Sequence, residues 1–292
     1  MTRLIESLSE ISAQYDAVFC DLWGCLHDGH KPFASAVAAL TDYRRKGGKV
    51  VLLTNAPRPM AAVEQHLAGM SLPREAWDLI ASSGDASQAA MLNGAVGERV
   101  FLIGADKDEP FFTTFAPDIQ GPVTVTRTGM LDATGIICTG LADDLTETPH
   151  DYRATLLMAK TRGLTMLCAN PDIVVDWGDK RLYCAGALAE DYANMGGEVQ
   201  YYGKPHPPIY DLARRRLSQA FGLDDPRILC IGDGISTDVQ GAMGEGLDCL
   251  FITGGIAAHH FGDDPARPDP AALAQWLEGQ MQSPSYAMGL LA

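Results

Sequence analysis

The 292-residue sequence predicts a doubly wound α/β fold built on mainly parallel sheet. Three features predict it: short, almost continuously apolar runs; stretches of helical spacing between them; and polar residues gathered where the runs end. The expected strands are AVFCD (17–21), KVVLLT (49–54), RVFLI (99–103), TGIICT (134–139), LTMLCA (164–169), RILCIG (227–232) and CLFIT (249–253). Runs this short and this apolar suit strands covered on both faces, as in a parallel sheet flanked by helices. Helical spacing is carried by 33–46, 58–70, 84–93, 150–162, 206–221 and 236–245. The opening MTRLIESLSEISAQYDAVFC, with Glu6 and Glu10, reads as an amphipathic helix and not as a targeting leader. Proline and glycine after Pro205 and across 263–270 mark loops, and the last few residues are expected to be poorly ordered.

Composition narrows the function. Apolar residues make up 47% of the chain, enough for a sizeable core, and the length suggests two domains. With 22 Lys and Arg against 37 Asp and Glu, the formal net charge of −15 excludes a general electrostatic grip on nucleic acid or an anionic membrane. No apolar run approaches the roughly 18–20 residues needed to span a bilayer. The seven cysteines form no CxxC pair. Cys20, Cys138, Cys168, Cys230 and Cys249 sit in or beside apolar runs, where a thiol packs as a small core residue, so a reducing cytoplasm is expected. A small anionic ligand stays compatible with the acidity, because one cation or a few basic groups reverse the field locally.

The chemistry-bearing residues lie at strand ends. AVFC runs into Asp21, VVLL into Thr54 and Asn55, and RILCIG into Asp233, while YYGKPHPPIYDLA puts Lys204 in a short loop that opens a helix. In open parallel sheets, ligand sites form beyond the carboxyl ends of the strands, so these segments can share one edge. Asp21 opens DLWGCLHDG; a carboxylate there serves as a nucleophile, a metal ligand or a turn residue, with Gly24 permitting a sharp turn. IGDGISTDVQGA offers Asp233 and Asp238 on a glycine-containing loop suited to oxygen ligation of Mg²⁺. Thr54 and Asn55 supply neutral donors, and Lys204 a point charge for phosphate.

In this order, the four segments resemble the haloacid dehalogenase (HAD) superfamily of hydrolases. The insertion between LLTNAP and YGKPHP looks like the cap of the class IIA, NagD-like branch of phosphatases, as do SSGDAS (82–87), CANPDIVV (168–175) and CAGALAEDY (184–192). The resemblance implies a Rossmann-like core of residues 1–85 and 203–292, with an α/β cap over 86–202. It further implies Mg²⁺-dependent hydrolysis of a small phosphorylated metabolite, a sugar phosphate or nucleotide-like compound. Asp21 would form an aspartyl phosphate, Thr54 would bond the phosphoryl group with Asn55 nearby, and Lys204 would hold phosphate and nucleophile together. Asp21, Asp233 and the backbone carbonyl of Trp23 would hold the metal, with Asp238 behind them. The cap is also the surface through which a homodimer would form.

One position departs from the pattern. Phosphatases of this superfamily carry a second Asp two residues after the nucleophile, as general acid and base; this chain has Trp23, whose indole has no titratable proton near neutrality. Losing such a group typically costs about 10²- to 10⁴-fold in rate. His27 or Asp28, downstream in the same loop, would be substitutes, although His27 equally suits a flap residue bonded to backbone. The alternatives are a phosphate-ligand binder with weak or lost catalysis and a C–halogen hydrolase. The second has an aromatic residue at the Trp23 position, but Asp233 and Asp238 would oppose a departing halide.

Other residues read more plainly. His259 and His260 suit a loop, Arg214, Arg215 and Arg216 a solvated or salt-bridged helix face, and GADKDEP a charged turn in the cap. NPD at 170–172 is a turn signal in a region that the resemblance links to substrate choice, and Asp191 and Tyr192 are candidate ligand-facing residues.

Overall fold

The computed structural model describes residues 2–178 and 180–292. In chain order the strands are β1 (Arg3–Leu4), β2 (Ala17–Cys20), β3 (Lys49–Thr54), β4 (Leu79–Ser82), β5 (Arg99–Ile103), β6 (Thr126–Arg127), β7 (Gly135–Cys138), β8 (Thr165–Cys168), β9 (Val174–Trp177), β10 (Lys180–Tyr183), β11 (Val199–Tyr201), β12 (Ile228–Gly232), β13 (Asp248–Ile252) and β14 (Tyr286–Met288). Seven of them form one sheet in the order β1-β14-β13-β12-β2-β3-β4, and every neighbouring pair is parallel. A second, five-stranded parallel sheet has the order β11-β8-β7-β5-β6, and β9 with β10 makes an antiparallel hairpin beside it. The α/β class with mainly parallel sheets is therefore as the apolar runs predict.

Alternation within the runs explains why both faces are apolar. On the large sheet Val18, Cys20, Val50, Leu52, Leu229 and Ile231 pack into one core, while Ala17, Phe19, Val51, Leu53, Ile228 and Cys230 pack into another on the opposite face. The smaller sheet repeats this with Ile136, Cys138, Met166 and Cys168 on one side and Val100, Ile137 and Leu167 on the other. All seven cysteines are buried and unpaired, as small core residues.

Several local expectations need correcting. The N-terminus is not an α-helix: Arg3–Leu4 pairs with β14 and is followed by two short 3-10 turns, because strand pairing and a capping box between Ser7 and Glu10 outweigh helical spacing. The C-terminus is held, not loose. Tyr286–Met288 lies inside the large sheet, Leu291 is buried, and the Leu8 amide donates to the Ala292 carbonyl at 2.7 Å. A helix at Pro270–Gln280 follows the 263–270 loop, capped by Asp269 with Pro270 in its first turn. The helix Ala185–Asn194 was legible only as a motif; it packs Leu188 and Tyr192 into the smaller sheet's core.

The register sets up the site. Cys20 pairs with Ile231 and with Leu52, so Asp21, Asp233 and Thr54 leave adjacent strands at the same carboxyl edge. After β2 the chain builds β3 and β4 to one side and later β12 and β13 to the other, so this edge is the switch point of the sheet.

Candidate active site

Lys204 lies at the centre of the carboxyl edge. Its side chain is 2% exposed, and Nζ stands 2.8 Å from Asp21 Oδ1 and 2.7 Å from Asp238 Oδ1. Burial would favour the neutral amine, but Asp21, Asp238 and Asp172 hold the ammonium well above its ordinary pKa. Burial raises the Asp21 carboxyl, with Lys204 pulling against it. Burial, opposed by Lys204 and reinforced by Asp21, pushes Asp238 up to about 6.

Asp233 has no cationic partner among the described residues; it accepts a hydrogen bond from the Ile256 amide at 2.7 Å. Burial, then Asp21 and Asp238, drive its pKa well above the carboxylate range. Two glycines make room for it: a Cβ on Gly24 or on Gly255 would lie 2.0 Å from Asp233 Oδ2. Asp238 follows Gly232 and Gly234 on a π-type turn, Ile235–Val239, and its Oδ2 accepts from the Gly234 amide at 3.1 Å. Three buried carboxylates thus face one ammonium, an excess of negative charge that suits a divalent cation. Carboxylate oxygens of Asp21 and Asp233 approach each other and Cys25 Sγ within 4.8 Å. The Cys25 thiol is buried and its pKa is raised well above normal by that burial and by Asp233, so the donors presented to a cation are the carboxylates, a hard set.

Thr54 is buried at the end of β3; its Oγ1 accepts from the Ala56 amide at 3.2 Å and its O–H is free to donate into the cleft. The Asn55 side chain has a different place from that of a phosphate donor. Its Oδ1 accepts from the Lys204 amide at 2.7 Å, and its Nδ2 donates to the Lys204 carbonyl at 3.1 Å and to Asp172 Oδ1 at 2.8 Å. With both amide protons used, Asn55 clamps the lysine loop to the 170–172 loop.

A cleft of about 350 Å³ opens above Asp21, between the two sheets. Trp23, His27, Arg58 and His66 line it on one side, and Thr139, Asn170, Asp172, Trp177 and Tyr183 on the other. The loop after β2 forms one wall: the Trp23 and His27 rings meet edge-on at 5.1 Å, and a Cβ on Gly29 would lie 2.4 Å from the indole. His30 lies against Trp177 of the β9–β10 hairpin at 4.9 Å, joining the two halves over the cleft.

The two expected substitute acids fall differently. Asp28 does not line the cleft; its Oδ1 accepts from the His30 and Lys31 amides, both at 2.9 Å. Although burial raises its pKa, those bonds outweigh it and keep the group ionised. His27 is fully buried, and its Nδ1 accepts from the Gly29 amide at 3.1 Å, which puts the proton on Nε2, an atom with no partner. Burial and His66 depress its pKa to about 4, so near neutrality it has no second proton to give.

Sequence reasoning missed several members of the site. Asp172 was read as part of a turn in a region linked to substrate choice, with no role of its own, and Gly255 with Ile256, which brace Asp233, carried no signal of their own. Lys107 and Asp108 of GADKDEP line the cleft. In the opposite direction, Tyr192 is fully buried, with its hydroxyl on the Leu164 carbonyl, and neither it nor Asp191 lines the cleft. SSGDAS acts as a brace: Ser82 Oγ donates to the Arg58 carbonyl at 2.7 Å, and Asp85 pairs with Arg216 at 2.6 Å. Arg216 is therefore buried, whereas Arg214 and Arg215 lie on the salt-bridged face expected of all three. His259 and His260 lie in a 3-10 turn that follows Ile256 and do not line the cleft. No described helix is long and apolar enough to cross a membrane.

Comparison with known proteins places these observations. A family model described as haloacid dehalogenase-like hydrolase matches residues 18–115, and a second, HAD-hydrolase-like, matches 201–276. A crystal structure of a hydrolase of the haloacid dehalogenase-like family from Brucella suis 1330 is 37% identical. It matches over 99% of this chain and 100% of its own, with a TM-score of 0.85. The D-glycerol 3-phosphate phosphatase of Mycobacterium tuberculosis is 23% identical over 85% of this chain, which spans 66% of that protein's length. A crystal structure of the glycerol phosphate phosphatase of that organism in complex with magnesium shares the fold. Its TM-score is 0.62 at 23% identity, over 86% of this chain and 71% of its own.

Proposed function

The chain belongs to the haloacid dehalogenase-like hydrolases, and we propose that it hydrolyses a small phosphomonoester, a sugar phosphate or nucleotide-like metabolite, with Mg²⁺ and through an aspartyl phosphate on Asp21. The single observation that carries this reading is the Lys204 ammonium bridging Asp21 and Asp238 while Asp233 stands uncompensated beside them. We place the chain in the class IIA branch, with 86–202 as a cap inserted between core segments 1–85 and 203–292. The order of the motifs and the five-stranded sheet between β4 and the Lys204 loop support that division. The exposed apolar side chains Leu131, Leu157 and Met158 lie in this segment and support a homodimer through the cap.

Asp21, Asp233 and the Trp23 carbonyl would hold the cation, with Asp238 behind them. Bound there, a divalent cation offsets phosphoryl charge, the main requirement of phosphoryl transfer. Lys204 orients the Asp21 carboxylate toward the cleft and neutralises the incoming phosphate. Asp21 attacks phosphorus, and the Thr54 hydroxyl donates to a phosphoryl oxygen as charge builds there. Asp238 fixes the lysine, and Asn55 fixes the backbone on which it stands. The cleft walls exclude water around the nucleophile.

The Trp23 indole favours a second reading, a phosphate-ligand binder without turnover. Asp21→Asn separates the two. Loss of Mg²⁺-dependent phosphate release across a metabolite panel in the variant, with release by the wild type, supports the hydrolase. Absence of release and of phosphoenzyme in the wild type supports the binder.

A further inference from the structure

Trp23 leaves the leaving-group alcohol without a proton from the position two residues after the nucleophile, so another group lining the cleft has to supply it. Among the described residues, the carboxyls that line the cleft besides Asp21 are Asp108, Asp144 and Asp172. Asp108 is used within the smaller-sheet unit, where its Oδ2 accepts from Thr139 Oγ1 at 2.7 Å and from the Ala105 amide at 3.3 Å. Asp144 is ion-paired with Lys107. Among the described residues Asp172 has no ion pair and a single side-chain bond, through Oδ1 to Asn55 Nδ2 at 2.8 Å, which leaves Oδ2 uncommitted and ties the carboxyl to the residue that clamps the lysine loop.

The carboxyl is also held in place. The Asp172 amide donates to Asn170 Oδ1 at 3.0 Å. Gly186 lets the following helix press on the loop, since a Cβ there would lie 2.4 Å from the Asp172 carbonyl oxygen. Gly203 does the same from the lysine loop, where a Cβ would lie 2.8 Å from Pro171 Cδ. Asn55 then ties Asp172 to the backbone of Lys204, whose ammonium touches the nucleophile. Two hydrogen-bonded links and the Lys204 side chain therefore connect Asp172, through Asn55, to Asp21.

We propose that Asp172 is the general acid and base of this site, taking from the 170–172 loop the task that Trp23 cannot perform. The proposal rests on the phosphatase reading of Asp21. In the first step an Asp21 carboxylate oxygen bonds to phosphorus, the bond from phosphorus to the ester oxygen breaks, and that oxygen takes the proton of the Asp172 carboxyl. In the second, water attacks the aspartyl phosphate and gives a proton to the Asp172 carboxylate, the phosphorus–Asp21 bond breaks, and phosphate leaves with both groups restored. Burial raises the Asp172 carboxyl, against the pull of Lys204 and the Asn55 bond, and so favours the protonated form that the first step needs.

Asp172→Asn keeps the acceptor for Asn55 and removes only the proton. With an alkyl phosphate, phosphoenzyme formation in the variant is expected to fall by about 10²- to 10⁴-fold. With p-nitrophenyl phosphate, whose phenolate leaves without a proton, Asp21 is still phosphorylated at close to the wild-type rate. A burst of nitrophenolate then precedes slow turnover, because the second step has lost its base. A thermal melt matching wild type confirms the fold. Equal slowing of phosphorylation by both substrates shows a positioning residue and overturns the proposal, as does wild-type turnover of the alkyl phosphate. A wild type that forms no phosphoenzyme from either donor refutes the phosphatase reading itself, and the proposal with it.

Discussion

Gly24 passes Asp233 so closely that a Cβ at its position would stand 2.0 Å from Oδ2, and its φ of +71° lies in the region that glycine adopts freely. The turn that carries the chain away from the nucleophile is therefore also a wall of the acidic site. Gly24→Ala adds backbone strain of about 1–3 kcal/mol and displaces the carboxylate. Calorimetric titration with Mg²⁺ is expected to show an affinity loss of about tenfold or more. Unchanged affinity would mean that Asp233 does not hold the cation.

Cation binding should stabilise the protein and release protons. A ligand at about 100 times its Kd adds about 2.7 kcal/mol to the unfolding free energy, and Asp233→Asn should abolish most of that gain. Burial raises the carboxyls of Asp21 and Asp233, against the pull of Lys204 on the first and with repulsion from Asp21 and Asp238 on the second, so protons compete with the cation on the acid side. Affinity is expected to strengthen as pH rises through these raised pKa values and to weaken as pH falls. Binding enthalpies in buffers of different ionisation heat check the proton release.

Arg216 is a structural cation that does not line the cleft. Its guanidinium donates to Asp85 Oδ2 at 2.6 Å, to the Ile80 carbonyl at 2.7 Å and to Asp118 at 2.9 and 3.0 Å, and Asp85 is fully buried. Arg216→Met leaves a buried carboxylate unpaired and should cost about 3–5 kcal/mol in denaturant unfolding. Arg216→Lys should recover only part, since one ammonium cannot match the fork. Activity per folded molecule should be unchanged in both.

Trp23→Asp restores the acid of the family pattern but removes a wall. The indole packs on Gly29, His27 and the loop beneath the β9–β10 hairpin. The expected result is a lower Tm and turnover at or below wild type. A large gain in turnover would instead mark the site as an eroded phosphatase and remove the need for an acid from the 170–172 loop.

Much of this was legible in one dimension. The apolar runs located the long strands because a sheet covered on both faces demands continuous apolarity, and AVFCD, VVLLTN and RILCIGD each delivered a polar group at the run's end. Short strands such as Arg3–Leu4 and Tyr286–Met288 carry too few residues to show a period, and their places depend on each other across the whole chain.

From the sequence alone follow the α/β class, the identity of Asp21, Thr54, Lys204, Asp233 and Asp238 as the polar set, and the missing titratable group at Trp23. Only the tertiary structure decided which groups Asn55 and Asp172 bond. Asn55 looks like a donor beside Thr54, yet its amide is taken by Lys204 and Asp172, residues 149 and 117 positions away. Hydrogen-bonding capacity is a property of the residue, but its use is set by which groups the fold brings within about 3 Å, and no local pattern encodes that.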